Sequence, residues 1–215
     1  WRDYMVSMGF GYALGIDLPG EKRGMIPNDQ YYDKAYNRSW NGLTIISISI
    51  GQGEVTATPL QIANLGATIA NRGYFITPHV VKEVEGDSLD SLYTQKRYTK
   101  VRREHYETVV QGMRQAVLGG TCRGADLPGI EVCGKTGTAQ NRGKDHSVFM
   151  GFAPMKEPKI AVAVYVENGG WGATYGVPIG ALIMEKYLNG SLSAESELKA
   201  QDIQKRRIDY GIHER

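Results

Sequence analysis

Val132-Cys133-Gly134-Lys135-Thr136-Gly137-Thr138-Ala139-Gln140 gathers a lysine, two threonine hydroxyls and two glycines at the end of a short strand-like run. Gly137 leaves the backbone open on one face, so a ligand can approach the main chain closely. Lys135 offers a positive charge to an anionic group, and Thr136 and Thr138 offer hydrogen-bond donors. That is the chemistry of a strand edge that binds a carboxylate or a phosphate. Residues Gly129 to Thr136 also spell the phosphate-loop pattern G-x-x-x-x-G-K-[ST]. That pattern works only with a buried strand before the first glycine and a helix opening at the lysine. Here residues 123–128 read as loop, and the four residues between the glycines alternate like a strand. The residues after the lysine are too rich in glycine and β-branched side chains to open a helix. Context rejects the phosphate loop. A Lys-Thr-Gly triplet standing alone is most often an exposed lysine before a turn, so the elements around it decide its meaning.

Several elements are legible before and after it. Residues 1–24 form a glycine-punctuated run ending in a Pro-Gly turn, and a polar, tyrosine-rich connector extends from there to about residue 41. Thr44–Ile50 alternates, with Ile46, Ile48 and Ile50 on one face, and predicts a short extended segment. Thr58-Pro59-Leu60-Gln61 predicts a capping box with proline at the first helical position, opening a helix to about Asn71 with Gly73 just beyond. Its alanines and Gly66 imply close packing against another element. A strand is predicted over Ile76–Val84, a polar surface loop over 85–100, and a helix over Arg103–Leu118 with Tyr106, Val109, Val110, Met113 and Val117 inward and Gly119-Gly120 as its stop.

After the Lys-Thr-Gly strand, 141–145 reads as a turn, Ser147–Ala153 alternates, and Lys159–Glu167 is apolar on both faces, as in a strand covered on both sides. Short links between the three predict an antiparallel meander, with the Lys-Thr-Gly strand as an outer member whose far side is free. A glycine-rich loop with Trp171 leads into a helix over Val177–Leu188 presenting Ile179, Leu182, Ile183 and Tyr187, stopped at Asn189-Gly190. The tail from Ser193 carries acidic residues early and Lys205-Arg206-Arg207 late, which suits a helix dipole, though its low hydrophobicity suits a solvated tail equally. The fold class is α+β, a two-layer arrangement of an antiparallel sheet with packed helices. The expected division is 1–190 as one domain portion and 191–215 as a polar tail.

Composition narrows the function. The chain has 215 residues, 41% hydrophobic and 22% charged, which is ordinary globular composition. A net charge of +2 leaves no electrostatic footprint for nucleic acid. No apolar run approaches the ~18 residues of a membrane span. Cys122 and Cys133 are the only cysteines, no C-x-x-C or H-x-x-x-H occurs, and His79, His105, His146 and His213 are scattered, which speaks against a zinc site. The two cysteines either pair or stay as buried thiols. The chain begins at Trp1 with periodic sequence from its first residues, so it is expected to be a piece of a longer protein.

Taken in order, Phe10-Gly11-Tyr12, Gly15–Glu21, Trp40-Asn41-Gly42, Ser49–Gly53 with Thr58–Gln61, and Gly134–Gln140 resemble a class B penicillin-binding protein. Glu167-Asn168-Gly169-Gly170 and the last helix are similar to the elongation type, penicillin-binding protein 2. The similarity runs to about Leu188. The resemblance implies part of the penicillin-binding protein/β-lactamase-like transpeptidase fold and D,D-transpeptidation: a serine attacks the D-Ala-D-Ala amide of a peptidoglycan stem peptide, and the acyl-enzyme passes to an amine on a neighbouring stem. It implies that Lys135 supplies positive potential and aids proton shuffling. Thr136 and Thr138 then hydrogen-bond the carboxylate of the substrate or of a β-lactam, the Thr138 N–H is one oxyanion donor, and Gly137 keeps the edge open. No metal or organic cofactor is called for. It further implies a parent anchored in the bacterial inner membrane, with this domain in the periplasm and a membrane glycan polymerase of the elongation machinery as partner.

The departures from the family pattern are specific. Its S-x-x-K nucleophile motif and its S-x-N motif belong upstream of the Gly15–Glu21 segment. Ser196-Glu197-Leu198-Lys199 and Ser39-Trp40-Asn41 fit the spellings in the wrong places, and both are rejected. The chain is therefore expected to be the C-terminal portion of a transpeptidase domain, inactive alone and exposing apolar surface where the preceding helical region packs. The competing reading is a non-catalytic, β-lactam-sensing or interaction module of the same fold.

Overall fold

The structure is a computed structural model that describes residues 1–208 and Tyr210. Three short helices come first: α1 (Arg2–Ser7), α2 (Asp29–Ala35) and α3 (Ile46–Ser49). Between α1 and α2 the glycine-punctuated run is tied by the Glu21 carboxylate, which accepts from the N–H groups of Leu14, Gly15 and Ile16 at 2.6, 2.9 and 3.2 Å. The extended segment expected over residues 44–50 is instead the single helical turn α3. A strand needs a partner ladder, and here the backbone bonds close locally, Gly51 N–H to the Ile48 carbonyl and Gln52 N–H to that of Ser47. Of the three alternating isoleucines only Ile48 is buried.

Helix α4 (Pro59–Ala70) begins as its residues dictate. Thr58 Oγ1 accepts from Gln61 N–H, and Gln61 Oε1 accepts from Thr58 N–H, so two otherwise unpaired donors are satisfied reciprocally. Next comes a two-stranded ribbon, β1 (Tyr74–Phe75) paired antiparallel with β2 (Arg97–Tyr98). The strand expected over 76–84 does not form. Pro78 has no N–H, and the N–H groups of Val80 and Val81 go to the Asp17 carboxylate at 2.8–3.0 Å instead of a ladder. The polar stretch 85–100 is mostly surface, yet its end supplies β2. Arg97 fastens it by donating to the Leu14 carbonyl, Thr77 Oγ1 and Tyr12 Oη.

Helix α5 (Arg103–Leu118) buries Tyr106, Val110, Met113 and Val117. Val109, expected on that stripe, is exposed, because it lies roughly 70° around the helix from the centre of the other four. The main sheet is a meander of β3 (Cys133–Ala139), β4 (His146–Ala153) and β5 (Ile160–Val166) in that spatial order, all antiparallel. α4 and α6 (Gly176–Asn189) both pack on β4 and β5, while α5 packs against β3. One cluster gathers Val117, Phe149, Val162, Val164, Val177 and Met184. A second gathers Ile69, Tyr106, Val110, Met113, Cys133 and Phe152. Gly66 permits the close approach of α4: a Cβ there would sit 3.2 Å from Met150 Cγ.

The inward stripe of α6 differs from the expected one. Val177, Gly180, Ala181, Met184 and Glu185 are buried, Ile183 and Tyr187 are exposed, and Ile179 and Leu182 are half-buried. The fully buried Phe149 ring lies against Gly180, where a side chain would overlap it, so glycine faces the sheet at that point, flanked by Val177, Ala181 and Met184. Helix α7 (Ala194–Lys205) then packs on α6. The Ser193 N–H donates to the buried Glu185 Oε1 at 2.9 Å, and Arg206 donates to the Thr174 carbonyl at 2.6 Å, so both ends of α7 are tied down. His213 lies outside the described residues.

Candidate active site

The register of β3 against β4 fixes which residues share a face. Cys133, Lys135 and Gly137 alternate with Gly134, Thr136 and Thr138. Gly134 is required where it stands: a Cβ there would lie 2.6 Å from the Phe149 ring. At the buried end of the strand, Cys133 packs with Val110, Met113 and Phe152, and burial pushes its thiol up to about 11. Toward the other end Lys135 and Thr138 are exposed and Thr136 is half-buried. Gly137 stands between the two threonines, and a Cβ there would meet Val148 Cβ at 3.2 Å.

Thr136 is the best-defined member of the group. Lys135 Nζ donates to the Thr136 carbonyl at 2.7 Å, and the Thr136 hydroxyl lies 2.8 Å from that of Thr121. The Thr136 N–H faces the Cys122 thiol. Burial raises that thiol's pKa, and the neighbouring hydroxyls, the Lys135 charge and this N–H offset the rise only in part. The N–H and C=O of Thr136 thus both have partners away from β4. By the alternation of an antiparallel ladder, the Thr138 N–H points to the same free side two residues on. The Lys135 ammonium, the Thr136 hydroxyl and the Thr138 N–H meet at one strand edge, with the exposed Thr138 side chain beside them. They can hold a carboxylate and a developing oxyanion.

Three residues that sequence reasoning missed complete the surroundings. Thr121 comes from the turn after α5, where the glycine pair signalled only a helix stop. Gly172, in the loop before α6, lies directly on β3: a Cβ there would be 2.8 Å from the Gly137 carbonyl oxygen and 3.0 Å from Thr136 Cβ. Ser147, cross-strand partner of Thr138, is fully buried. Its hydroxyl donates to the Trp171 carbonyl at 2.8 Å and accepts from Gly176 N–H at 3.0 Å, which lays the loop along the sheet. Further bonds, Gly170 N–H to the Asp145 carbonyl and Asn168 N–H to His146 Nδ1, order the loop's first half. The sequence showed this loop's glycines, Trp171 and the family likeness of Glu167–Gly170, but not its seat on the sheet.

The two misplaced motif spellings have structural roles. Ser196 is buried beside Glu185, and Lys199 pairs with Glu195 at 2.8 Å, so they form no serine–lysine pair. Trp40 donates to Asp33 Oδ1 at 2.8 Å and packs on Tyr32, while Asn41 Oδ1 accepts from Leu43 N–H. Cys122 and Cys133 are both free thiols. Among the described residues no group of histidine, cysteine and carboxylate side chains is placed to hold a metal ion, and no helix is long and apolar enough to cross a membrane.

With this geometry in hand, comparison with known proteins is decisive for the class. Residues 1–187 match the family described as the penicillin binding protein transpeptidase domain, and the chain belongs to that family. Its relatives narrow the type. It is 35% identical over 192 residues to the peptidoglycan D,D-transpeptidase MrdA of Acinetobacter baumannii, an alignment covering 80% of this chain and 29% of that protein. It resembles the crystal structure of Pseudomonas aeruginosa PBP2 in complex with WCK 5153, with a TM-score of 0.77 and 35% identity over 90% of this chain and 44% of that one. A chain of a peptidoglycan synthase complex that coordinates polymerization and crosslinking matches with a TM-score of 0.72 and 33% identity, over 87% of this chain and 32% of that one. The chain thus spans 29% of the curated relative and 44% or less of these solved chains.

Proposed function

We propose that this chain supplies the ligand-binding edge of a peptidoglycan D,D-transpeptidase of the penicillin-binding protein 2 type. The observation that carries the reading is the convergence of Lys135, Thr136 and Thr138 on the free edge of β3, within a family match reaching residue 187. The stem peptide, or a β-lactam in its place, pairs alongside the edge that Gly137 leaves open. The Thr136 and Thr138 hydroxyls donate to its terminal carboxylate. Lys135, whose ammonium wraps the edge to reach the Thr136 carbonyl, contributes positive potential and assists proton transfer. The Thr138 N–H donates to the oxyanion of the tetrahedral intermediate, a contribution of the kind whose removal costs about 10²–10³ in rate. The attacking serine and the second oxyanion donor belong to a preceding segment of the parent, as does the S-x-N serine. The reaction asks for no metal or organic cofactor. The parent is anchored in the inner membrane, faces the periplasm and partners a glycan polymerase, a reading supported by the likeness to the synthase complex.

Intact mass after incubation with a β-lactam tests the reading, run on this chain and on a version extended upstream by roughly one domain's worth of residues. The expected result is one stoichiometric adduct on the extended protein, lost on Lys135→Ala and absent from the 215-residue chain. No adduct on a well-folded extended protein would favour a non-catalytic module.

A further inference from the structure

We propose that Thr121 is a positioning residue that aims the Thr136 hydroxyl at the ligand carboxylate. This rests on the reading of β3 as a carboxylate-binding edge. A threonine hydroxyl on an exposed strand turns among staggered rotamers and bonds to water in each. Thr136 is confined instead. Its Oγ1 lies 2.8 Å from Thr121 Oγ1, and on the sheet face Gly172 stands so close that a Cβ there would be 3.0 Å from Thr136 Cβ. A hydroxyl has one proton and two acceptor lone pairs. When Thr121 donates to Thr136, the Thr136 proton is left free and is directed toward the open edge, where a carboxylate, which only accepts, can take it.

Thr121 can do this because its own position is over-determined. The turn after α5 closes through Gly120 N–H and Cys122 N–H, both donating to the Ala116 carbonyl at 3.1 and 2.9 Å. A Cβ at Gly120 would meet Ala116 Cα at 2.9 Å, so the turn needs glycine there. On the other side Cys122 is fully buried in the core beside Val117 and Ala125. Thr121 is thereby held between a glycine that cannot be replaced and a side chain that cannot move. Its hydroxyl faces two side chains, the Thr136 hydroxyl at 2.8 Å and the Cys122 thiol.

The test compares wild type, Thr121→Val, which keeps the shape and deletes the hydroxyl, and Thr121→Ser, which keeps the hydroxyl. In the 215-residue chain, three-bond couplings across χ1 of Thr136 are expected to report one rotamer in wild type and in Thr121→Ser, and averaging in Thr121→Val, with thermal midpoints alike. In the extended protein, rapid-mixing kinetics separate β-lactam binding from acylation. Thr121→Val is expected to raise the dissociation constant about 2–10-fold, with the acylation step within about twofold, and Thr121→Ser to restore binding. An unaveraged Thr136 rotamer in Thr121→Val overturns the proposal, and so does a Thr121→Ser variant that binds as poorly as Thr121→Val. The rotamer measurement stands whether or not an adduct forms, so failure of the transpeptidase reading and failure of this one are separable.

Discussion

β3 and β5 are the two outer strands of one sheet, each seven residues long, and they are built for opposite purposes. β5 reads Ile-Ala-Val-Ala-Val-Tyr-Val and is clad on both faces, by α4 and by α6, with Val162 and Val164 buried. β3 reads Cys-Gly-Lys-Thr-Gly-Thr-Ala. Only its first two residues are buried, and from Lys135 on it carries charge and hydroxyls. A charged side chain on an outer strand discourages pairing with another strand, which on the proposed reading keeps the edge for the ligand. β5 contributes to stability through area removed from water, whereas β3 gives up that gain to keep donors at an accessible edge. On the proposed reading, function and stability lie on opposite sides of the same meander, with β4 bonded to both.

That division can be broken most severely at Lys135. In the extended protein, Lys135→Ala is expected to slow β-lactam acylation by about 10²–10⁴-fold, the range for loss of a positioned proton-transfer group. The melting temperature is expected to barely move, since exposed positions typically shift stability by less than about 0.5 kcal/mol. A large fall in melting temperature would show that β3 is structural after all. Phe149→Ala strikes the strand between the two. Its ring is fully buried against Gly134, Gly151 and Gly180, and its loss is expected to cost about 3–5 kcal/mol, read as a shifted denaturant midpoint. Val164→Ala sharpens the contrast from the β5 side: about 2 kcal/mol lost, while acylation per folded molecule is unchanged.

The smallest effect concerns α7. Burial raises the Glu185 carboxyl, but hydrogen bonds from Ser196 and Ser193 and the Lys199 charge outweigh it and hold the group below its usual range. A folded pKa below the unfolded one means stability that is fully present above the unfolded value and is lost as pH falls through the folded one. Protection factors of the Ser193–Glu197 amides, corrected for the intrinsic pH dependence of exchange, are therefore expected to fall on acidification below about pH 4.3 in wild type. Glu185→Gln, already without the charge, should lack that step. Identical profiles for the two proteins would remove Glu185 as the anchor.

The parts legible in the sequence were those governed by local chemistry. The capping box at Thr58–Gln61, the helix stop at Gly119-Gly120 and the apolar run of β5 each specify their own geometry. So does the Lys135–Thr138 strand, whose alternation and glycines distinguished it from a phosphate loop. The features that escaped depended on distant partners. Thr44–Ile50 has strand composition but no strand beside it, and Val80 and Val81 donate their N–H groups to Asp17, 63 and 64 residues away. The buried face of α6 turns on one phenylalanine on β4, which leaves room only for glycine at 176 and 180. Thr121 and Gly172 reach Thr136 only through the packing of α5 and of the loop before α6, so nothing near them in the chain could announce it.

The most direct test is a crystal structure of the extended protein acylated by a β-lactam. The account predicts the ligand carboxylate within hydrogen-bond distance of the Thr136 and Thr138 hydroxyls and the acyl carbonyl oxygen on the Thr138 N–H, along the free edge of β3. A ligand bound elsewhere, with that edge untouched, would contradict it.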